Sequence, residues 1–205
     1  MKLTKEENIN KNTFSGREAI KKYSGLFSRA VNDIEKTIIN NRFIKNGLTL
    51  DLGCGTGRIT KYLVKRGFPT IGIDYSETMI NYAKKRHKKI NFLVMNACDM
   101  NFPSGHFDNI LFSFNGIDCV YPYKKRMTCL KEIYRVLKKG GVFAFSTHNS
   151  FKDKSFYQTC DRFGGKLILF NINYEKQVKD LKQIGFDPKL INLSTDKHLY
   201  FVAIK

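Results

Sequence analysis

The segment Leu48–Gly57, LTLDLGCGTG, decides how the rest of the chain is read. Leu48, Leu50 and Leu52 make a short apolar run of strand length. It enters the turn Gly53-Cys54-Gly55-Thr56-Gly57, after which Ile59, Tyr62 and Leu63 fall on one face of a helix. Alternating glycines let the backbone turn sharply and approach a ligand, because no Cβ stands in the way. The N-terminal amides of the following helix point at the same place. The spacing is G-x-G-x-G, with Arg58 where a dinucleotide fingerprint has its third glycine. No Lys-Ser or Lys-Thr pair follows, which excludes a Walker phosphate loop. A tight strand–helix turn without a ligand is the competing explanation.

The next segments decide between the two. Thr70 to Ile73 ends in Asp74, followed by Tyr75 and a helix opened by Ser76. One carboxylate can accept from both vicinal hydroxyls of a ribose, and a neighbouring aromatic can lie against a base. Four stretches occur in order: DLGCGTG (51–57), GIDYSETMI (72–80), NACDMNFPSGHFD (96–108) and EIYRVLKKGGVFAFSTHN (132–149). With them the chain resembles the class I S-adenosylmethionine-dependent methyltransferases of the small-molecule type, from Leu48 to the C-terminus.

The resemblance implies a donor site. Asp51, Gly53, Cys54, Gly55 and Gly57 surround the amino-acid end of S-adenosylmethionine. Asp74 takes the ribose, and Tyr75 and Met79 flank the adenine. In the family pattern an acidic residue meets the adenine amino group, and that position here is Asn96, whose amide oxygen still accepts a hydrogen bond. Ala97 and Cys98 supply backbone contacts and packing, and Asp99 falls at a looser position. Phe114 and Asn115 reach the sulfonium and methyl region. Asn115-Gly116-Ile117-Asp118 is not an Asn-Pro-Pro-Tyr tetrapeptide, and the chain has no Pro-Cys pair. Both absences count against methylation of DNA bases and several RNA bases, but do not exclude RNA ribose or other RNA targets.

The implied reaction is in-line displacement at the methyl carbon, leaving S-adenosylhomocysteine, with alignment of the partners as the protein's main task. A protonated acceptor also needs a base. His148, at the expected end of the fifth strand, is the candidate catalytic residue. Tyr23, Asp118, Tyr121 and His148, with Tyr123 nearby, are the candidate acceptor-binding residues. His87, His106 and His198 read as structural or solvent-facing. The alternatives are an RNA methyltransferase using a basic surface and a non-catalytic donor-binding partner protein.

Composition bounds these readings. At 205 residues the chain reads as one domain with a substantial core. No apolar run approaches the ~20 residues of a membrane span, and the polar start MKLTKEENINKNTF is unlike a signal peptide. A cytoplasmic location is therefore expected. The net charge is +18, but 27 of the 36 basic residues are Lys, alongside 17 Asn, as A/T-rich codons would produce. The Lys clusters at 84–89 and 124–126 fall at expected helix ends, without the interleaved aromatics of a base-stacking platform. Five scattered cysteines form no C-x-x-C and show no zinc spacing. Free thiols and no metal are expected, with a thiophilic metalloid acceptor as the remote alternative.

From Leu48 the chain alternates strand and helix, which argues for a parallel sheet covered on both faces. The expected fold is α/β: a Rossmann-like seven-stranded, mostly parallel sheet with a C-terminal antiparallel hairpin and an N-terminal helical extension. Strands are expected near 48–52, 69–73, 90–95, 108–114 and 141–147, and helices near 57–66, 77–88 and 123–138. Residues 1–46 read as a helical cap, frayed to residue 13, opened by a Ser15/Glu18 capping box, and carrying Ile20, Tyr23, Phe27, Ala30, Val31, Ile34 and Ile38 as its stripe. Residues 47–148 form the donor-binding core. Residues 149–174 form an irregular acceptor-side insertion with one short strand at KLILFNI. Residues 175–205 form a helix, then two strands joined by a turn at Thr195-Asp196-Lys197.

Overall fold

The structure, a computed structural model, describes residues 5–25, 31–148, 155–191 and 198–205. Its strands are β1 (Thr49–Leu52), β2 (Thr70–Asp74), β3 (Asn91–Val94), β4 (Phe107–Phe112), β5 (Leu137–His148), β6 (Phe156–Arg162), β7 (Gly165–Asn171), β8 (Asp187–Ile191) and β9 (His198–Ile204). Its helices are α1 (Lys5–Ser15), α2 (Arg17–Ser24), α3 (Asp33–Arg42), α4 (Arg58–Lys65), α5 (Glu77–Arg86), α6 (Tyr123–Val136) and α7 (Tyr174–Ile184).

Seven strands form one sheet in the order β3-β2-β1-β4-β5-β9-β8. The first five are mutually parallel, and β9 lies antiparallel between β5 and β8. The two-residue side-chain period of the strands sorts the core into two layers. Ile110, Phe112, Phe143, Phe145 and Phe201 pack on the face covered by α6 and α7. Leu111, Val142, Ala144, Tyr200 and Val202 pack on the opposite face, against α3 and α4. The strand order reverses between β1 and β4, which places the ligand crevice beyond the carboxyl ends of these strands.

Four expectations are corrected. Residues 5–13 are helical, not frayed. Ser15 caps nothing: it ends α1, α2 starts after Gly16 without a side-chain cap, and the Ser15 hydroxyl lies 2.7 Å from that of Ser76. The capping box sits instead at Asn32 and Glu35, opening α3. Helix α6 stops at Val136, because Leu137 already pairs with Phe107 in the sheet. The insertion is a two-stranded antiparallel hairpin, β6–β7, rather than one strand in an irregular segment. Phe27, Ala30 and the 195–197 turn lie outside the described residues.

Candidate active site

A cavity lies at the carboxyl ends of β1, β2, β3 and β4. The glycine turn forms one wall. Gly55 takes φ +53°, in the left-handed region, and a Cβ there would meet nothing within 4 Å, so its backbone faces open space. Gly57, at φ +86°, is different: a Cβ there would come within 2.7 Å of the Phe92 ring. Gly57 thus serves packing and lies outside the cavity lining.

Asp74 joins two strand ends. Its carboxylate accepts from the Gly55 amide at 3.0 Å and the Ser76 amide at 2.8 Å. Burial pushes its pKa up against these bonds. Ser76 itself accepts from the Met79 amide and caps α5. On β1, Asp51 is buried and accepts from the Thr60 hydroxyl at 2.6 Å. Burial raises its carboxyl to about 7, outweighing the Thr60 bond. A carboxyl held near that value changes charge readily when a cation approaches.

At the end of β3, Asn96, Ala97 and Cys98 line the cavity with Tyr75 and Met79. The Asn96 amide oxygen accepts from the Cys98 amide at 2.9 Å, so it shapes its own loop. After β4, Phe114 and Asn115 both take left-handed backbone conformations (φ +51° and +56°), which cost energy for non-glycine residues and concentrate at functional sites. The turn sends the two side chains apart. Phe114 is 55% exposed on the cavity wall, under the Arg58 guanidinium at 4.2 Å from its ring. Asn115 turns away, its amide nitrogen 2.8 Å from Nδ1 of His198.

The roof comes from the N-terminal helices. Phe14 and Tyr23 line the cavity, and Tyr23 meets the Phe114 ring edge-on with centroids 6.1 Å apart. Burial pushes the Tyr23 hydroxyl up to about 12. Its backbone carbonyl accepts from the Thr56 hydroxyl at 2.9 Å, fastening α2 to the glycine turn. Helix α1 is clamped to β7 by Asn10, which donates to the Ile168 carbonyl at 2.8 Å and accepts from the Ile168 amide at 2.7 Å.

The remaining candidates form a second cluster outside the cavity lining. Asp118 is fully buried and turned inward. One of its oxygens accepts from Thr147 at 2.6 Å and pairs with Arg126 at 3.2 Å. The other accepts the His148 amide and lies 2.8 Å from His148 Nδ1. The His148 ring rests 5.6 Å from that of His198. Tyr121 packs against Tyr157 with centroids 4.9 Å apart, and the Tyr123 hydroxyl donates to Asp180.

Several residues escaped the sequence reading. Glu7, Phe14, Thr56, Arg58, Ser113 and Cys119 all line the cavity. Glu35, on α3, accepts both Arg58 nitrogens at 2.7 and 2.8 Å and the Ser113 hydroxyl at 2.8 Å. Only Arg58 carried a sequence signal, by standing where a third glycine was expected. All five cysteines are free, and among the described residues no group of His, Cys, Asp or Glu could hold a metal ion. No helix among them is long and apolar enough to cross a membrane.

A glycine turn and a pinned carboxylate at the switch point of such a sheet define a nucleoside-binding α/β protein. Residues 50–145 match the family model described as a methyltransferase domain. The chain is 32% identical over 133 residues to YqeM of Bacillus subtilis, covering 63% of this chain and 54% of that protein. It is 41% identical over 100 residues to a demethylmenaquinone methyltransferase of Lactococcus lactis, covering 45% of this chain and 38% of that one. It thus spans about half the length of these relatives or less. A solved S-adenosylmethionine-dependent methyltransferase of Methanosarcina mazei shares its fold with TM-score 0.69 and 24% identity, over 82% of this chain and 95% of that one. The 1,6-didemethyltoxoflavin-N1-methyltransferase of Burkholderia thailandensis does so with TM-score 0.71 and 16% identity, over 100% and 92%. The chain thus carries a stretch that matches a methyltransferase domain, and it has the Rossmann-like fold of solved S-adenosylmethionine-dependent methyltransferases.

Proposed function

We propose that the protein transfers the methyl group of S-adenosylmethionine to a small, flat, largely apolar acceptor. The observation that carries this reading is one cavity whose lining combines two chemistries. Asp74 is held by two backbone amides, ready for a ribose diol. Phe14, Tyr23 and Phe114 add an aromatic wall suited to a planar acceptor. Relatives that act on demethylmenaquinone and on 1,6-didemethyltoxoflavin support an acceptor of that kind.

The residues divide the work. Asp51, on β1 just ahead of the glycine turn, attracts the ammonium of the amino-acid end. Gly55 lets the chain approach the donor closely. Tyr75, Met79, Ala97 and Cys98 enclose the base. The donor supplies a methyl carbon already activated by its sulfonium, so holding the acceptor in line is most of the catalysis. For an acceptor that must lose a proton, His148 is the base. Asp118 orients it through Nδ1, which leaves Nε2 to take the proton.

The test is methyl transfer from isotope-labelled S-adenosylmethionine into a host extract split into metabolite, RNA and protein fractions. Label in the metabolite fraction is expected. Label confined to RNA would replace this reading with an RNA methyltransferase working through the basic surface. Label in no fraction, with donor binding intact, would favour the non-catalytic alternative.

A further inference from the structure

The turn between β6 and β7 carries a residue that its backbone does not favour. Arg162 pairs with Gly165, so Phe163 and Gly164 are the whole loop. Both take positive φ, +53° and +71°. A two-residue turn of this kind calls for Asn-Gly, and a bulky aromatic in its first position is strained. Such residues persist only where their surroundings hold them, and they cluster at functional sites. Phe163 spends its ring on the roof of the cavity. Its centroid lies 6.1 Å from that of Phe14 and 5.5 Å from that of Tyr23. The seat is close-fitting: a Cβ on Gly165 would stand 2.6 Å from the Thr13 hydroxyl oxygen, and that hydroxyl donates to the Lys166 carbonyl at 2.6 Å. The hairpin tip is thus pressed against the N-terminal helices.

Tyr23 is the ring that this tip holds in place. Tyr23 lines the cavity, whereas Phe163 lies outside its lining. The Tyr23 ring meets Phe114 edge-on, its carbonyl accepts from Thr56 of the glycine turn, and the Asp74 charge acts on its hydroxyl. A ligand beneath this ring leaves only after the ring moves, and moving it breaks the contact with Phe163. We infer that Phe163 is a positioning residue that holds Tyr23 closed over the donor, so that the hairpin tip sets how fast S-adenosylmethionine enters and S-adenosylhomocysteine leaves. This rests on the donor reading proposed above. Phe163 packs on the protein's own rings, so its contribution is the same with the site filled or free. Its loss therefore speeds entry and release by similar factors and leaves affinity nearly unchanged.

The experiment is stopped-flow binding of S-adenosylhomocysteine to the full chain, read by tyrosine fluorescence, since the chain has no Trp. Phe163→Asn suits the turn but removes the ring. It should speed association and dissociation by about tenfold each, the worth of two aromatic contacts, with affinity within about threefold of wild type. Phe163→Leu keeps apolar bulk without a ring and should speed both by about threefold. Phe163→Tyr keeps the ring and should exchange ligand at wild-type rates. Unchanged rates in Phe163→Asn and Phe163→Leu would overturn the positioning role. So would an affinity loss beyond threefold, the mark of a merely loosened site, or a Phe163→Tyr variant as fast as Phe163→Asn. In each of these cases the donor site stands. A wild-type protein that does not bind S-adenosylhomocysteine would overturn the donor reading itself.

Discussion

The floor and the roof of the cavity are built in opposite ways. The floor is local: a turn of five residues, an aspartate at the next strand end and a serine cap two residues on, tied by bonds such as Gly55 to Asp74. The roof is assembled across the whole chain. Asn10 on α1 reaches Ile168 on β7 and the Cys119 carbonyl beyond β4. Floor geometry is therefore set mainly by backbone conformation, and roof geometry by side-chain polar bonds between distant segments. Under the proposed function, the floor suits an invariant nucleoside and the roof is where the choice of acceptor can vary.

The largest effect is expected beneath the floor. Glu35→Ala leaves the Arg58 guanidinium, 7% exposed, without its carboxylate. The cost to stability in urea unfolding should be about 3–5 kcal/mol, the range for a broken buried ion pair. A cost below about 1 kcal/mol would show that this strut is not what holds α3 and α4 together. Next, Asp74→Ala should weaken S-adenosylhomocysteine binding about 100-fold in calorimetry, or roughly 2.7 kcal/mol. Unchanged affinity would remove Asp74 from the site.

On the roof, Asn10→Ala strands the Ile168 amide and carbonyl, and should lower stability by about 2 kcal/mol. If it costs as much as Glu35→Ala, roof and floor unfold as one unit and the contrast fails. The smallest effect concerns pH. The buried Asp51 carboxyl, raised by burial, keeps its proton up to about 7. A ligand ammonium favours the ionised form, so binding below that pH expels a proton. Affinity for S-adenosylhomocysteine should then rise about tenfold between roughly pH 5 and 8, and Asp51→Asn should flatten the profile.

The same contrast explains what could be read in advance. The strands of the floor were legible to within a few residues because their apolar runs are bounded by glycines and charges. Helix α1 was not, because its inward face is Glu7, Asn10 and Thr13, a polar stripe with no apolar period to detect. Strand β6, Phe156–Arg162, shows no alternation of burial, since neither side meets the core. Asp118 and His148 are both candidates by sequence, but their 2.8 Å pairing joins residues 30 apart and has no sequence signature. Motif spacing points to Asn96, but spacing carries no sign that its side-chain oxygen accepts from the Cys98 amide.

The Asn10 bridge also imposes an order on biosynthesis. Helix α1, 11 residues long, is made before every element of the sheet, and so short a helix is marginal in water by itself. Its docking edge on β7 is translated 158 residues after Asn10, once the entire parallel half of the sheet has been made. The nascent chain therefore carries the floor of the cavity long before it can close the roof over it, which waits until β7 has been made.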